Sequence, residues 1–147
     1  MSLSTSDVVH MLIGAASVAG VFYINRHLYK GGWRGAGVSA IEAAYYLFAV
    51  VGLALGWYFN IQYMTEYAAE VGWVHWTKLL FVNPASASGG QDLILANLFI
   101  MPLWTIAEGR RCGMKAPWWY FPMSLVTSFA FGIAMFLAVQ QRHYRWQ

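Results

Sequence analysis

Any acid–base, metal or thiol chemistry in this chain must come from six acidic residues, four histidines and one cysteine. Three carboxylates stand out: Glu42, Asp92 and Glu108 fall at the ends of long apolar stretches. A charge in that position is costly and usually has a role. Two readings are open. In the structural one, Glu42 and Glu108 pair with Arg110 and Arg111 at a membrane surface, and Asp92 caps a helix. In the catalytic one, partial burial keeps a carboxyl protonated until it acts as a general acid. Asp92 or Glu108 would then protonate a double bond or epoxide of an apolar lipid or isoprenoid. Trp57, Tyr58 and Trp104 would stabilise the cation that develops.

The histidines form no ligand set by spacing, and no metal is expected. His10 and His27 flank the first apolar stretch, His75 lies between the second and third, and His143 is in the tail. No His-x-x-x-His, Glu-x-x-His or Cys-x-x-Cys pattern occurs. An approach of His10, His75 and His143 on one side of a membrane stays open, as does ligation of a pigment by a single histidine. Cys112, the one cysteine, has no partner for an internal disulfide. No Gly-x-Ser-x-Gly motif is present. The turn Lys30-Gly-Gly-Trp-Arg-Gly-Ala-Gly lacks the spacing of a P-loop and suits contact with anionic headgroups instead.

These residues must be positioned by four apolar segments, at 8–24, 38–59, 92–108 and 118–139. A helix crosses ~30 Å of hydrocarbon with about 17–25 mostly apolar residues. The chain is 59% hydrophobic and 10% charged, with a mean hydropathy of +0.47, whereas soluble domains carry about 25% charged residues. The expected fold is therefore all-α: one membrane domain over residues 1–147, a four-helix bundle with a short interfacial helix between spans two and three. The net charge of +3 does not signal nucleic acid here. Arg26, Lys30 and Arg34 lie between spans one and two, and Arg110, Arg111 and Lys115 between spans three and four. Lys78, Arg142 and Arg145 are elsewhere. The positive-inside rule then places both basic loops in the cytoplasm and both termini on the other side of a bacterial-type inner membrane. The N-terminus lacks a basic n-region and a cleavage site, so the first span is expected to be retained.

Small residues mark helix packing: Gly14, Ala16 and Gly20 in span one, and the Gly52-x-x-x-Gly56 of span two. They suit either packing within the chain or contact with another subunit. Trp57, Trp73, Trp76, Trp118 and Trp119 sit near span ends and suit interface anchors. Between spans two and three, helix two is expected to run on to about Ala69 and Gly72 to end it. Residues 74–81 then form the interfacial helix, and Asn83-Pro84 stops it. Residues 86–91 form a flexible hinge and Asp92 starts span three, within reach of Asn60, Glu66 and Asn83. Asn97 is a buried amide that needs a partner.

An ordered series of short motifs carries a resemblance over about residues 46–142. It runs Gly56-Trp57-Tyr58 with Asn60, Phe81-Val-Asn83-Pro84-Ala-Ser86, Asp92-Leu93, Glu108-Gly-Arg110-Arg111-x-Gly113, Trp118-Trp119, and Phe136-Leu137 followed by Arg142. In these the chain resembles a bacterial family of small membrane proteins catalogued as a domain of unknown function. The resemblance implies the membrane fold and nominates Asn83, Asp92 and Glu108 for testing. Met135 stands where that family tends to place a proline, which bears on a kink in the last span. Span one lies outside the resemblance.

Function is expected to be non-catalytic: an accessory or assembly subunit of a larger membrane complex, respiratory or photosynthetic in type. Its partners would be membrane lipids and other membrane subunits. No cofactor is required; bound lipid is expected, and contact with a pigment or quinone is compatible. A small lipid-modifying enzyme is the first alternative and a homo-oligomeric carrier or channel the second.

Overall fold

A computed structural model describes residues 5–30 and 37–146. Most of the glycine-rich turn lies outside them. The described chain is all-helical, and three of its helices are long and apolar enough to cross a membrane.

Helix α1 (Thr5–Ile24) carries Asp7 in its first turn, where a carboxylate complements the helix dipole. A short 3₁₀ turn, Arg26–Tyr29, follows it. Helix α2 (Ala40–Tyr67) starts at Ser39, whose side chain accepts a hydrogen bond from the Glu42 amide at 3.1 Å. It ends in a 3₁₀ turn, Ala68–Glu70. Helix α3 (Trp73–Leu79) starts after Gly72 and is the expected short helix, one residue earlier than read from sequence. Helix α4 (Pro84–Ile94) continues through a π-helical segment, Leu95–Ile100, into α5 (Met101–Arg111). Together they form one 28-residue apolar helix, Pro84–Arg111. The π segment precedes Pro102, which has no N–H to donate and whose ring crowds the carbonyl four residues back.

This start corrects two expectations. Residues 86–91 are helical and form no hinge, and Asp92 is inside the helix, not at its cap. Asn83 is the cap: its Oδ1 accepts from the Ser86 amide at 2.9 Å, with Pro84 in the first turn. Gly90 is buried against Leu80, where a Cβ would come within 2.8 Å of the Leu80 side chain.

The largest correction concerns the fourth apolar segment, which is not one helix. After a 3₁₀ turn, Pro117–Trp119, helix α6 (Tyr120–Val126) stops, the chain bends at Thr127 and Ser128, and α7 (Phe129–Trp146) returns. The two halves lie against each other as an antiparallel hairpin. Tyr120 faces Phe136 with ring centroids 5.3 Å apart, and Gly132 lies so close to Ser124 that a Cβ would approach its side chain to 2.6 Å. Ser128 forms the corner. Its Oγ accepts from the Phe131 amide at 3.1 Å, capping α7, and donates to the Gly52 carbonyl of α2 at 2.9 Å. Met135 is buried in the middle of an unbroken stretch of α7, so the interruption falls well before the position where a proline was at issue.

Helix α7 is the centre of the fold, with nine of its 18 residues buried. Helix α2 runs antiparallel along it from Gly52 beside Phe131 to Glu42 beside Arg142, and α5 covers its other side through Met101 and Trp104. Helix α1 packs on α6, where Trp119 Nε1 donates to the Ser17 carbonyl at 2.8 Å. Both ends of the hairpin therefore lie at the end of the bundle that holds the α1–α2 connection. Helix α1 starts at one end of the bundle and α7 finishes at the other. Among the described residues, Arg26, Lys30, Arg110, Arg111, Lys115, Arg142 and Arg145 gather at the α7 terminus, and Lys78 lies away from it.

Candidate functional site

Two polar regions remain once the apolar packing is accounted for, one at each end of the hairpin. At the basic end, Glu42 is fully buried and Arg142 is 2% exposed. Arg142 Nη1 donates to Glu42 Oε1 at 2.8 Å and its Nε to the Leu28 carbonyl at 2.9 Å. Its guanidinium lies 4.5 Å from the ring centroid of Tyr29. Arg145 reaches the second oxygen, Oε2, at 3.3 Å. Every charge in this buried group thus has a partner, which such a group requires. Beside it, Glu108 accepts from Arg111, from Gln140 at 3.1 Å and from Tyr144 at 3.1 Å. Cys112 touches the same set through the Tyr144 hydroxyl at 2.8 Å. This region joins the ends of α2, α5 and α7.

The other polar region is a cleft of about 560 Å³. It exists because the hairpin stops short. Beyond Ser128 none of the described residues separates α1, α2 and α4, and a space remains between them. Helix α3 closes its far rim with Trp73 and Trp76. The wall is mostly apolar, with neutral polar groups from four elements: His10 on α1, Asn60 on α2, Asn97 in the π segment, and Ser124 with the unwound backbone at Thr127. Asn97 Oδ1 accepts from Ser124 Oγ at 2.8 Å. Asn60 makes no side-chain hydrogen bond among the described residues, and His10 Nε2 is buried without one. Among the described residues, no Asp, Glu, Lys or Arg lines the cleft.

The structure separates the residues nominated from sequence. Glu42 pairs with Arg142 and Arg145, not with Arg110 or Arg111. Glu108 pairs with Arg111, and Arg110 is exposed. Asp92 is exposed beside Gln91 and joins no cluster with Asn60, Glu66 or Asn83. His143 lies at the basic end near His27 and Lys115, away from the cleft that His10 lines. Among the described residues no group of three His, Cys, Asp or Glu is placed to hold a metal. Gly14 and Gly20 admit the rings of Trp57 and Trp119, while Ala16 is exposed on the opposite face. Gly52 and Gly56 receive the hairpin corner, where a Cβ on Gly56 would lie 2.7 Å from Ser128 Cβ. Two expected interface anchors are therefore packing residues: Trp57 Nε1 lies 3.5 Å from the Val126 carbonyl, and Trp119 bonds α1. Trp73 and Trp118 are exposed. Sequence reading missed the site's defining part, the bend at Thr127 and Ser128. A local signal for it was the polar trio Ser124, Thr127 and Ser128 inside an otherwise apolar segment.

No curated protein and no solved structure matches this chain. Residues 44–142, from the first turns of α2 to Arg142, match a family model that leaves out α1 and Glu42, and the chain belongs to that family, described as protein of unknown function DUF2834.

Proposed function

We propose that the chain is an integral membrane protein, with three crossing helices and a re-entrant hairpin, that serves as a non-catalytic accessory subunit of a larger membrane complex. At about 1.5 Å per residue, Gly52 and Gly56, which receive the hairpin corner, lie ~18 and ~24 Å from the start of α2. In ~30 Å of hydrocarbon the hairpin tip then stops between the midplane and the far surface. The gathering of basic residues at one end favours that end as cytoplasmic, with the N-terminus on the other side of a bacterial-type inner membrane. The short helix α3, carrying exposed Trp73, then lies at the far interface.

The observation that carries the accessory reading is the division of small residues on α1. Gly14 and Gly20 are used inside the chain, whereas Ala15, Ala16 and Ala19 form an exposed flat face that another helix can approach closely. The enzyme alternative is less favoured, since neither Asp92 nor Glu108 lines the cleft. A carrier remains the second reading, favoured by the broken helix past the midplane.

Gentle extraction followed by native mass analysis tests the proposal. The chain is expected to run with other subunits, and Ala16→Phe to release them while the isolated chain keeps its melting temperature. A wild-type chain that runs alone, or an Ala16→Phe variant that keeps all its partners, overturns it.

A further inference from the structure

We propose that the cleft beyond the hairpin tip binds an uncharged amphiphile: an apolar body carrying one or two carbonyl or hydroxyl oxygens. The inference goes beyond the accessory role and stands without it. Three observations carry it. First, the size of about 560 Å³ falls in the ~300–1,000 Å³ range of small-molecule sites. Second, among the described residues the lining carries no Lys, Arg, Asp or Glu; the carboxylate of buried Asp7 lies one turn before His10 on α1. An anion would meet no cation in that lining, and a cation would meet no carboxylate there. Either would lose its hydration without compensation. Third, the neutral polar groups have capacity left over. Among the described residues, His10 Nε2 is buried without a hydrogen bond, the Asn60 amide is unused, and Asn97 spends only its oxygen, on Ser124. An amide N–H donates to a carbonyl, and an amide oxygen accepts from a hydroxyl. The head of the ligand would lie between Asn60 and Asn97, and its apolar part against Phe59, Leu93 and Trp76.

Such chemistry has two sources in a membrane, a freely diffusing quinone-like molecule or a neutral glycerolipid. The test uses the full-length protein in phosphatidylcholine nanodiscs, with labelled decylbenzoquinone and dioctanoylglycerol as probes. Decanoate and decyltrimethylammonium are the charged controls. Saturable binding of at least one neutral probe, above that of empty discs, is expected. Binding of the quinone alone assigns a free molecule, and binding of the glycerolipid alone assigns a lipid. Asn60→Leu removes the unused amide without breaking a bond in the chain and should weaken binding about tenfold, the worth of roughly one hydrogen bond. Leu93→Trp fills the cleft and should abolish binding. Both variants are expected to melt like the wild type without probe. Neutral probes that bind no better than to empty discs, charged controls that bind equally well, or two variants that bind as the parent does would overturn the inference. The readout uses the isolated chain, so its failure is distinct from failure of the accessory reading.

Discussion

The two ends of the hairpin are built on opposite rules. At the basic end the buried charges near α7 are committed: Glu42 to two arginines, Arg142 to a carbonyl and a ring as well, and Glu108 to Arg111, Gln140 and Tyr144. At the tip, the groups are neutral and some are unused. The contrast separates holding from binding. Buried charge pairs are intolerant of any change because each partner left behind is an uncompensated charge. Neutral amides in a cleft can exchange partners at low cost, which suits a ligand that comes and goes.

The sharpest way to break this contrast is to cut the buried pair. Glu42→Gln or Arg142→Met should each lower unfolding free energy by about 3–5 kcal/mol, read from denaturation in mild detergent. If the pair is as interdependent as its geometry implies, the double variant should lose less than the two singles combined. The packing of the tip comes next. Gly56→Ala places a methyl against Ser128 and the Thr127 carbonyl, and should cost about 1–3 kcal/mol. Gly20→Ala meets only the edge of the Trp119 ring and should cost less. On the cleft wall, Asn60→Leu should change stability by less than about 0.5 kcal/mol, since no bond within the described chain is lost.

The smallest effect is a pH dependence at the basic end. His27, in the turn after α1, is held below its usual range by burial and then by the charges of Lys115 and His143. A backbone hydrogen bond to Ile24 acts in the opposite direction, and Lys30 adds to the lowering. The unfolded chain therefore takes up a proton near pH 6.5 while the folded chain resists it. Stability should be constant above that pH and fall as the pH drops toward the folded value. Melting curves between pH 7.5 and about 5 should show this slope, and His27→Gln should reduce it. An unchanged slope in the variant would assign the effect to another group.

Apolar length and caps made the helices readable. Span one, a second span beginning near residue 38 and the short helix after Gly72 follow from composition and local chemistry, although the Ser39 cap of α2 was not singled out. The stretch 86–91 was misread because its glycines and serines look like a loop. Asn83 as cap and Pro84 in the first turn were the stronger signals, and Leu80 packing on Gly90 makes the glycine useful. The hairpin was hidden for a different reason. Hydropathy records how apolar a segment is and not its direction, so 118–139 reads as one crossing. Beside that polar trio, Arg142 and Arg145 just beyond the segment were a second clue, since a hairpin brings them back to the basic end. The pairing of Glu42 was invisible because its partner lies 100 residues away along the chain. The cleft follows from the hairpin and was equally hidden.

That separation governs when the bundle can lock. Arg142 joins Glu42 across 100 residues and the Leu28 carbonyl across 114, so the pair can form only after α5 and the hairpin have been made. Until then Glu42 lacks both its arginines, and α2 has no hairpin to grip. A chain cut before Arg142 would keep all three long apolar helices and still strand that carboxylate. Truncation there should therefore loosen the whole bundle, not just its last turn.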